Sequence, residues 1–300
     1  MLARRMKGSR ILAAIVALAL FGRSASAEAA GDRVEWNTDW QKFRWVEGAA
    51  TVGLVTASYL EDRFLSGPSS PHWEGAILFD NPLRGAVRGR SEHVQRAATK
   101  YADLGYTTLT LFPYFDVAIV LGVHRNLEVA AQMFLIDAQS LGFTGSVTLF
   151  TKWLVGRQRP YARDCEPGAA TGVHRCGTAY DNIGFFSGHT SATFTGAGLT
   201  CVHHQHLPLY GGGLPDSWAC AWALTVASGT AVLRLVSDDH YASDVLMAAG
   251  VGLFSGYVLP SLLHYGFGRT TAPPRPGSSQ IVPMLQPMAD GLGIGLAGSM

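Results

Sequence analysis

The chain has 300 residues, 48% of them hydrophobic and only 15% charged, with 23 Lys and Arg against 22 Asp and Glu. That length and apolar content suit one sizeable core. Beyond the N-terminal basic run no basic tract remains, which argues against a nucleic-acid-binding protein.

Residues 1–27 read as a secretory signal peptide. Arg4, Arg5, Lys7 and Arg10 precede an apolar run from Ile11 to Gly22, and Ala25-Ser26-Ala27 is a small-residue cleavage pattern. The run is too short for a comfortable membrane span; an uncleaved anchor is the alternative. This segment holds five Lys and Arg and no acid, so its removal leaves 18 positive against 22 negative groups, a net charge of −4.

Residues 28–47 form an aromatic arm (Trp36, Trp40, Phe43, Trp45), and Gly48 to Tyr59 an apolar helix. Residues 64–90, rich in Gly, Pro and Arg, read as loop, with Asp80 to Arg84 as a capped turn that could line a substrate mouth. Helices follow at about 91–123, 127–156, 188–206, 216–235 and 240–264, with breaks expected at Pro113 and near Gly142. Residues 270–300 are Pro/Gly-rich and read as a loose tail or short hairpin.

Lys152 and Arg159 are seven apart, so they share one helical face, and Pro160 ends that helix. Two cations at a helix end make an anion clamp. Ser187 is a good N-cap, and Gly188 lets a ligand approach the backbone. A helix N-terminus there suits phosphate, with His189 at its edge as a proton donor. Further on, His240 and Asp244 are four apart and can hydrogen-bond on one helix, leaving one imidazole nitrogen free as nucleophile or base. Arg234 cannot share that face, so a break is expected at Ser237–Asp239, with Ser237 or Asp238 capping the next helix.

Export makes disulfides possible. Cys165 and Cys176 lie in one Gly-rich loop and are expected to pair; Cys201 and Cys220 bracket a second loop and could pair as well. No Cys-x-x-Cys occurs, and His203-His204-Gln205-His206 reads as a polar loop without an acidic partner, so no metal site is expected.

Lys152 to Arg159-Pro160, then Ser187-Gly188-His189, then Arg234, His240 and Asp244 in this order resemble the signature of the type 2 phosphatidic acid phosphatase (PAP2) superfamily, which includes bacterial acid phosphatases and vanadium haloperoxidases. Phe186 stands where that signature has proline, and Leu233 where it has serine. The resemblance implies an all-α antiparallel helical bundle over residues 28–269, with a loosely structured tail over 270–300. It implies that Lys152, Arg159, Arg234, Ser187 and Gly188 bind phosphate, that His240 attacks phosphorus, that Asp244 orients His240, and that His189 protonates the leaving group. The expected activity is an exported, periplasmic or envelope-associated, metal-independent phosphatase of lipid phosphates or small phosphomonoesters, acting through a phosphohistidine and without cofactor. Alternatives are a haloperoxidase with vanadate in the same cradle, or a membrane-embedded lipid phosphatase. Membrane-surface association is compatible with the first reading, whose apolar helices would form the core of a soluble bundle.

Overall fold

Long apolar stretches separated by Gly- and Pro-rich connectors fold into helices that run back and forth. The computed structural model describes residues 34–65, 67–165, 170–171 and 174–266, and the backbone of 280–288 and 291–299; the expected signal peptide lies outside the described residues. The helices are α1 (Trp45–Phe64), α2 (Asp80–Val87), α3 (Glu92–Ile119), α4 (Leu127–Val155), α5 (Gly188–His206), α6 (Leu214–Val236) and α7 (Ala242–Leu253). Single π-turns extend α3 through His124, and α7 continues through two more to Tyr265.

The bundle is all-α and centred on α5, which touches α3, α4, α6 and α7. Small residues allow this. A Cβ added at Gly196 would lie 1.9 Å from the Leu109 carbonyl oxygen, at Gly252 2.4 Å from that of Ser191, and at Gly256 2.1 Å from that of Thr195. Pro113 therefore does not break α3. Its missing N–H leaves the Leu109 carbonyl without a helical donor, and the bare backbone of Gly196 packs against it. Nor does Gly142 break α4; a Cβ there would meet Val55 Cγ2 of α1 at 2.9 Å, so close packing explains that glycine. Residues 80–87, read as a turn, form a helix instead, with Asp80 buried in its first turn.

The alternating helices put the end of α4, the start of α5, the end of α6 and the start of α7 on one side. Both expected disulfides are present: Cys165–Cys176 on the site side, and Cys201–Cys220 joining α5 to α6.

The apolar helices do not all become core. Trp218 is 70% exposed, Leu111 and Leu246 each 59%, and Phe115, Val123 and Leu262 are exposed as well. Glu92–His124, Leu214–Val236 and Ala242–Tyr265 are long and apolar enough to cross a membrane, and at most 39% of each apolar stretch is buried. After Tyr265 a separate unit begins. Within it β1 (Gln280–Met288) pairs antiparallel with β2 (Gly291–Ser299), the ladder running from Gln280↔Ser299 to Met288↔Gly291.

Candidate active site

Backbone hydrogen bonds stitch the three motifs together. Arg159 N–H donates to Asp181 O at 2.7 Å, Gly184 N–H to Arg157 O at 2.8 Å, Tyr161 N–H to Asp238 O at 3.3 Å, and Ser187 N–H to Asp244 O at 3.4 Å. Residues far apart in the chain thereby meet at one end of the bundle.

Lys152 projects inward from the last turn of α4 and donates to Ile183 O at 2.7 Å. The helix stops at Val155, where Gly156 takes the left-handed conformation at φ 55° that a C-terminal cap requires. Arg159 is therefore not on the face of Lys152's helix, as the seven-residue spacing suggested; it comes from the extended segment that follows. Its guanidinium stacks on Tyr180 at 4.0 Å and donates to Tyr180 O and Asp239 O. Arg234, from the end of α6, pairs with Asp239 at 3.0 Å. Arg159 and Arg234 both lie close enough to repel the Lys152 ammonium. Asp239 pairs with both arginines, and Asp244 also acts on Lys152, whose ammonium burial and then Arg159 push well below its usual range; the cluster still gathers three cationic side chains suited to phosphate oxygens.

Ser187 is fully buried and caps α5, accepting from Thr190 N–H at 3.4 Å and the Thr190 hydroxyl at 2.9 Å. Its own hydroxyl proton remains to be donated. Gly188 adjoins the cradle: a Cβ there would sit 3.6 Å from Lys152 Cε.

His240 is fully buried and does not lie on a helix. Asp238, at φ 64°, turns the chain sharply after α6, and α7 begins only at Ala242, with Tyr241 rather than Ser237 or Asp238 at its cap. The expected pairing of Asp244 with His240 is therefore corrected. The two stand 3.8 Å apart, too far for a hydrogen bond. Asp244 instead accepts from Tyr241 N–H at 2.8 Å and is ion-paired to Arg157. His240 Nδ1 contacts Gly184 O at 2.8 Å. A carbonyl only accepts, so Nδ1 carries the proton and Nε2 holds the lone pair, 3.4 Å from Arg159. Burial, then Arg159, Lys152 and Arg234, push the His240 imidazole well below its usual range, which keeps it neutral.

His189, in the first turn of α5, contacts Asp103 Oδ1 through Nε2 at 2.8 Å, next to the Tyr106 ring. Arg234 and Asp239 also act on it, which sets it at the rim of the same cluster. Burial and then Arg234 depress it to about 4 against the pull of Asp103.

Three contributors escaped the sequence reading, and Asp80, read as part of a substrate mouth, acts instead on Arg157. Arg157 is fully buried between Asp80 (2.8 Å) and Asp244 and sandwiched by Trp73 and Tyr241, at 4.0 and 4.4 Å from the ring centroids. Asp80 also accepts from Ser243 N–H at 2.8 Å, locking the start of α7. Asp103 and Asp239 complete the set; Asp239, adjacent to His240, was the one that proximity in the chain could have flagged.

At the far end of the bundle, the segment His203 to His206 is the last turn of α5, not a loop, and its acidic partners come from other helices. His203 Nε2 meets Asp137 Oδ1 at 2.8 Å and Nδ1 meets the Tyr265 hydroxyl at 2.7 Å. His204 meets Asp216 at 2.5 Å and Asp116 at 3.3 Å. Among the described residues no group of side chains is arranged to hold a metal ion.

Residues 135–267 match the PAP2 superfamily, a span that holds every cradle residue above except Asp80 and Asp103. The Lipid A 1-phosphatase of Porphyromonas gingivalis is 34% identical over 125 residues, which are 42% of this chain and 22% of that protein. The chain thus matches about a fifth of that relative's length. No solved structure matches.

Proposed function

Residues 135–267 belong to the PAP2 superfamily, and from that premise we propose that the chain hydrolyses phosphate esters through a covalent phosphohistidine at His240. The observation that carries this reading is the neutral His240, whose Nε2 lone pair faces Arg159 at 3.4 Å beside Lys152 and Arg234.

Lys152, Arg159 and Arg234 bind the phosphate oxygens, and Ser187 and the Gly188 amide add donors. Phosphoryl transfer is mainly positioning and charge stabilisation, which three cations supply without a metal ion. His240 Nε2 attacks phosphorus, the P–N bond forms, and the ester P–O bond breaks. The departing oxygen takes a proton from His189. A bound dianion raises the proton affinity of His189, opposing the depression caused by burial and Arg234. Neutral His189 then takes a proton from water as the water oxygen attacks phosphorus, the P–N bond breaks, and phosphate leaves. Asp103 holds His189 in place during both steps.

Rapid quenching with a 32P-labelled ester tests this. The wild type retains acid-labile, alkali-stable label, and His240→Asn retains none. Label at the wild-type level in the variant overturns the reading. Turnover lost to EDTA and restored by a divalent metal overturns the metal-free part.

The exposed apolar surfaces of α3, α6 and α7 favour a membrane-embedded enzyme acting on lipid phosphates. The Cys165–Cys176 disulfide on the site side fits a site open to an oxidising compartment. On this reading the protein leaves washed membranes only with detergent, and turns over phosphatidic acid in mixed micelles with a higher kcat/KM than a soluble ester. Release by high salt alone, or equal preference, counts against it.

A further inference from the structure

Arg157 bears on His240 from two sides. Its side chain takes Asp244: one guanidinium nitrogen is ion-paired to Asp244 Oδ1 and donates to Ser243 Oγ at 2.8 Å. The other donates to Asp80 Oδ2 at 2.8 Å and to Gly75 O at 3.0 Å. Asp244 Oδ2 accepts from Tyr241 N–H at 2.8 Å, so each oxygen of Asp244 already has a donor other than His240. The main chain of Arg157 takes Gly184. Arg157 O accepts from Gly184 N–H at 2.8 Å, and the carbonyl of that same glycine accepts the His240 Nδ1 proton, also at 2.8 Å. A Cβ on Gly184 would sit 3.0 Å from Arg157 O, so the two peptides are in close contact.

The clamp is anchored at every corner. The guanidinium lies between the Trp73 and Tyr241 rings, and Gln158 N–H ties Trp73 O to the Arg157 segment at 2.9 Å. Asp80, the far anchor, also accepts from Ile77 N–H, Ser243 N–H and the Ser243 hydroxyl. Around His240 stand Lys152 from α4, Arg159 from the segment after it, His189 from α5, Arg234 from α6, Asp239 next in the chain and Asp244 from α7. The three cations disfavour an imidazolium. Asp239 is taken by Arg159 and Arg234. Asp244 is thus the carboxylate that could favour one, and the planar fork of Arg157 draws it the other way.

We propose that Arg157 is a positioning residue for the nucleophile: it claims Asp244 and fixes the Gly184 carbonyl, so that His240 is oriented by a neutral acceptor instead of a carboxylate. This role rests on the phosphatase reading and adds a residue to it. A carboxylate on Nδ1 would favour the protonated ring, which has no lone pair to offer phosphorus. A carbonyl fixes the tautomer equally well and leaves the ring neutral in acid, where His189 carries its proton. Nucleophile and acid are then in their working forms over the same range of pH.

The test follows the His240 ring by NMR in the detergent-solubilised protein, its signals identified by their absence from His240→Asn. Arg157→Met paired with Asp80→Asn removes one charge of each sign and frees Asp244. The midpoint of His240 protonation then rises by about 1–3 pH units, and returns toward the wild-type value when Asp244→Asn is added. In kcat/KM the same pair of substitutions adds a loss of about tenfold per pH unit below the new midpoint, which the wild type does not show. A merely structural role for Arg157 lowers the whole profile and leaves its shape. An unmoved midpoint, or a rise that survives Asp244→Asn, overturns the proposal. Should the paired variant not fold, Asp244→Asn alone decides. The Nδ1-protonated tautomer persists in its 15N shifts because Gly184 sets it, and loss of that tautomer overturns the proposal. A raised midpoint in a protein that releases no phosphate from any ester keeps the role of Arg157 and removes the phosphatase reading. Turnover with an unmoved midpoint removes this role alone.

Discussion

The two ends of the bundle hold the same kinds of residue, buried histidines among carboxylates and hydrogen-bonding tyrosines, and use them in opposite ways. At the far end every imidazole nitrogen of His203 and His204 has a close partner. Both nitrogens of His204 face carboxylate oxygens, from Asp216 and Asp116, so its ring must carry both protons. Tyr210 donates to Asp116 at 2.6 Å, and Gly212 N–H to Asp216 at 2.6 Å. At the site end Lys152, Arg159 and Arg234 gather around His240, Asp244 is diverted to Arg157, and the second nitrogen of His240 has only a long contact, 3.4 Å, with Arg159. Histidines paired at both nitrogens fasten helices; chemistry needs a nitrogen held only loosely, among cations that can bind an anion.

The largest effect that separates the two ends is on turnover. His240→Asn is expected to lower kcat by at least about 10³-fold while the melting temperature holds, whereas His203→Asn leaves kcat per folded molecule near wild type. Steady-state kinetics on folded, monodisperse protein, alongside thermal unfolding, check both halves. Comparable loss of kcat in the two variants would erase the distinction.

Next in size is a stability effect confined to the far end. His204→Gln removes the cation from between two buried carboxylates and is expected to cost about 3–5 kcal/mol. Denaturant unfolding measures it, and replacing Asp216 by Asn in the same chain should recover part of the loss, since one stranded charge goes with it. A double variant no better than the single one contradicts the assignment of His204 as a paired imidazolium.

The smallest effect sharpens the site end. With His240 neutral well into acid and His189 near 4 in the free enzyme, kcat/KM should rise as pH falls from 7 toward 4, because the acid is protonated only below its own value. Asp103 raises His189, so Asp103→Asn lowers it further and moves that rise to lower pH, reducing kcat/KM at neutral pH by up to about tenfold. A pH–rate profile of the two proteins shows the displacement; a uniform drop at every pH would mean that Asp103 only holds the fold.

Much of this was legible in the sequence because it is local. The helices follow from apolar periodicity, and Ser187 caps α5 as its side chain and position suggest. The expected pairing of His240 with Asp244 failed at a single point: a spacing of four implies contact only if the helix already runs through both, and here it starts at 242. Arg157 carried no local signal, since nothing in its neighbourhood announces Asp80, 77 positions earlier, or Asp244, 87 later. The far histidines were misjudged for the same reason. Asp137 and Asp116 are 66 and 88 positions away; only Asp216, 12 residues on, was within reach of a local reading.

The glycines along α5 and α7 carry one more consequence. Where Gly196 meets Leu109, and Gly252 and Gly256 meet Ser191 and Thr195, peptide rests directly on peptide. No rotamer stands between the neighbouring rods to absorb a slip. The spacing of α5 from α3 and α7, which carry the elements on either side of the site, is thus set by main-chain thickness.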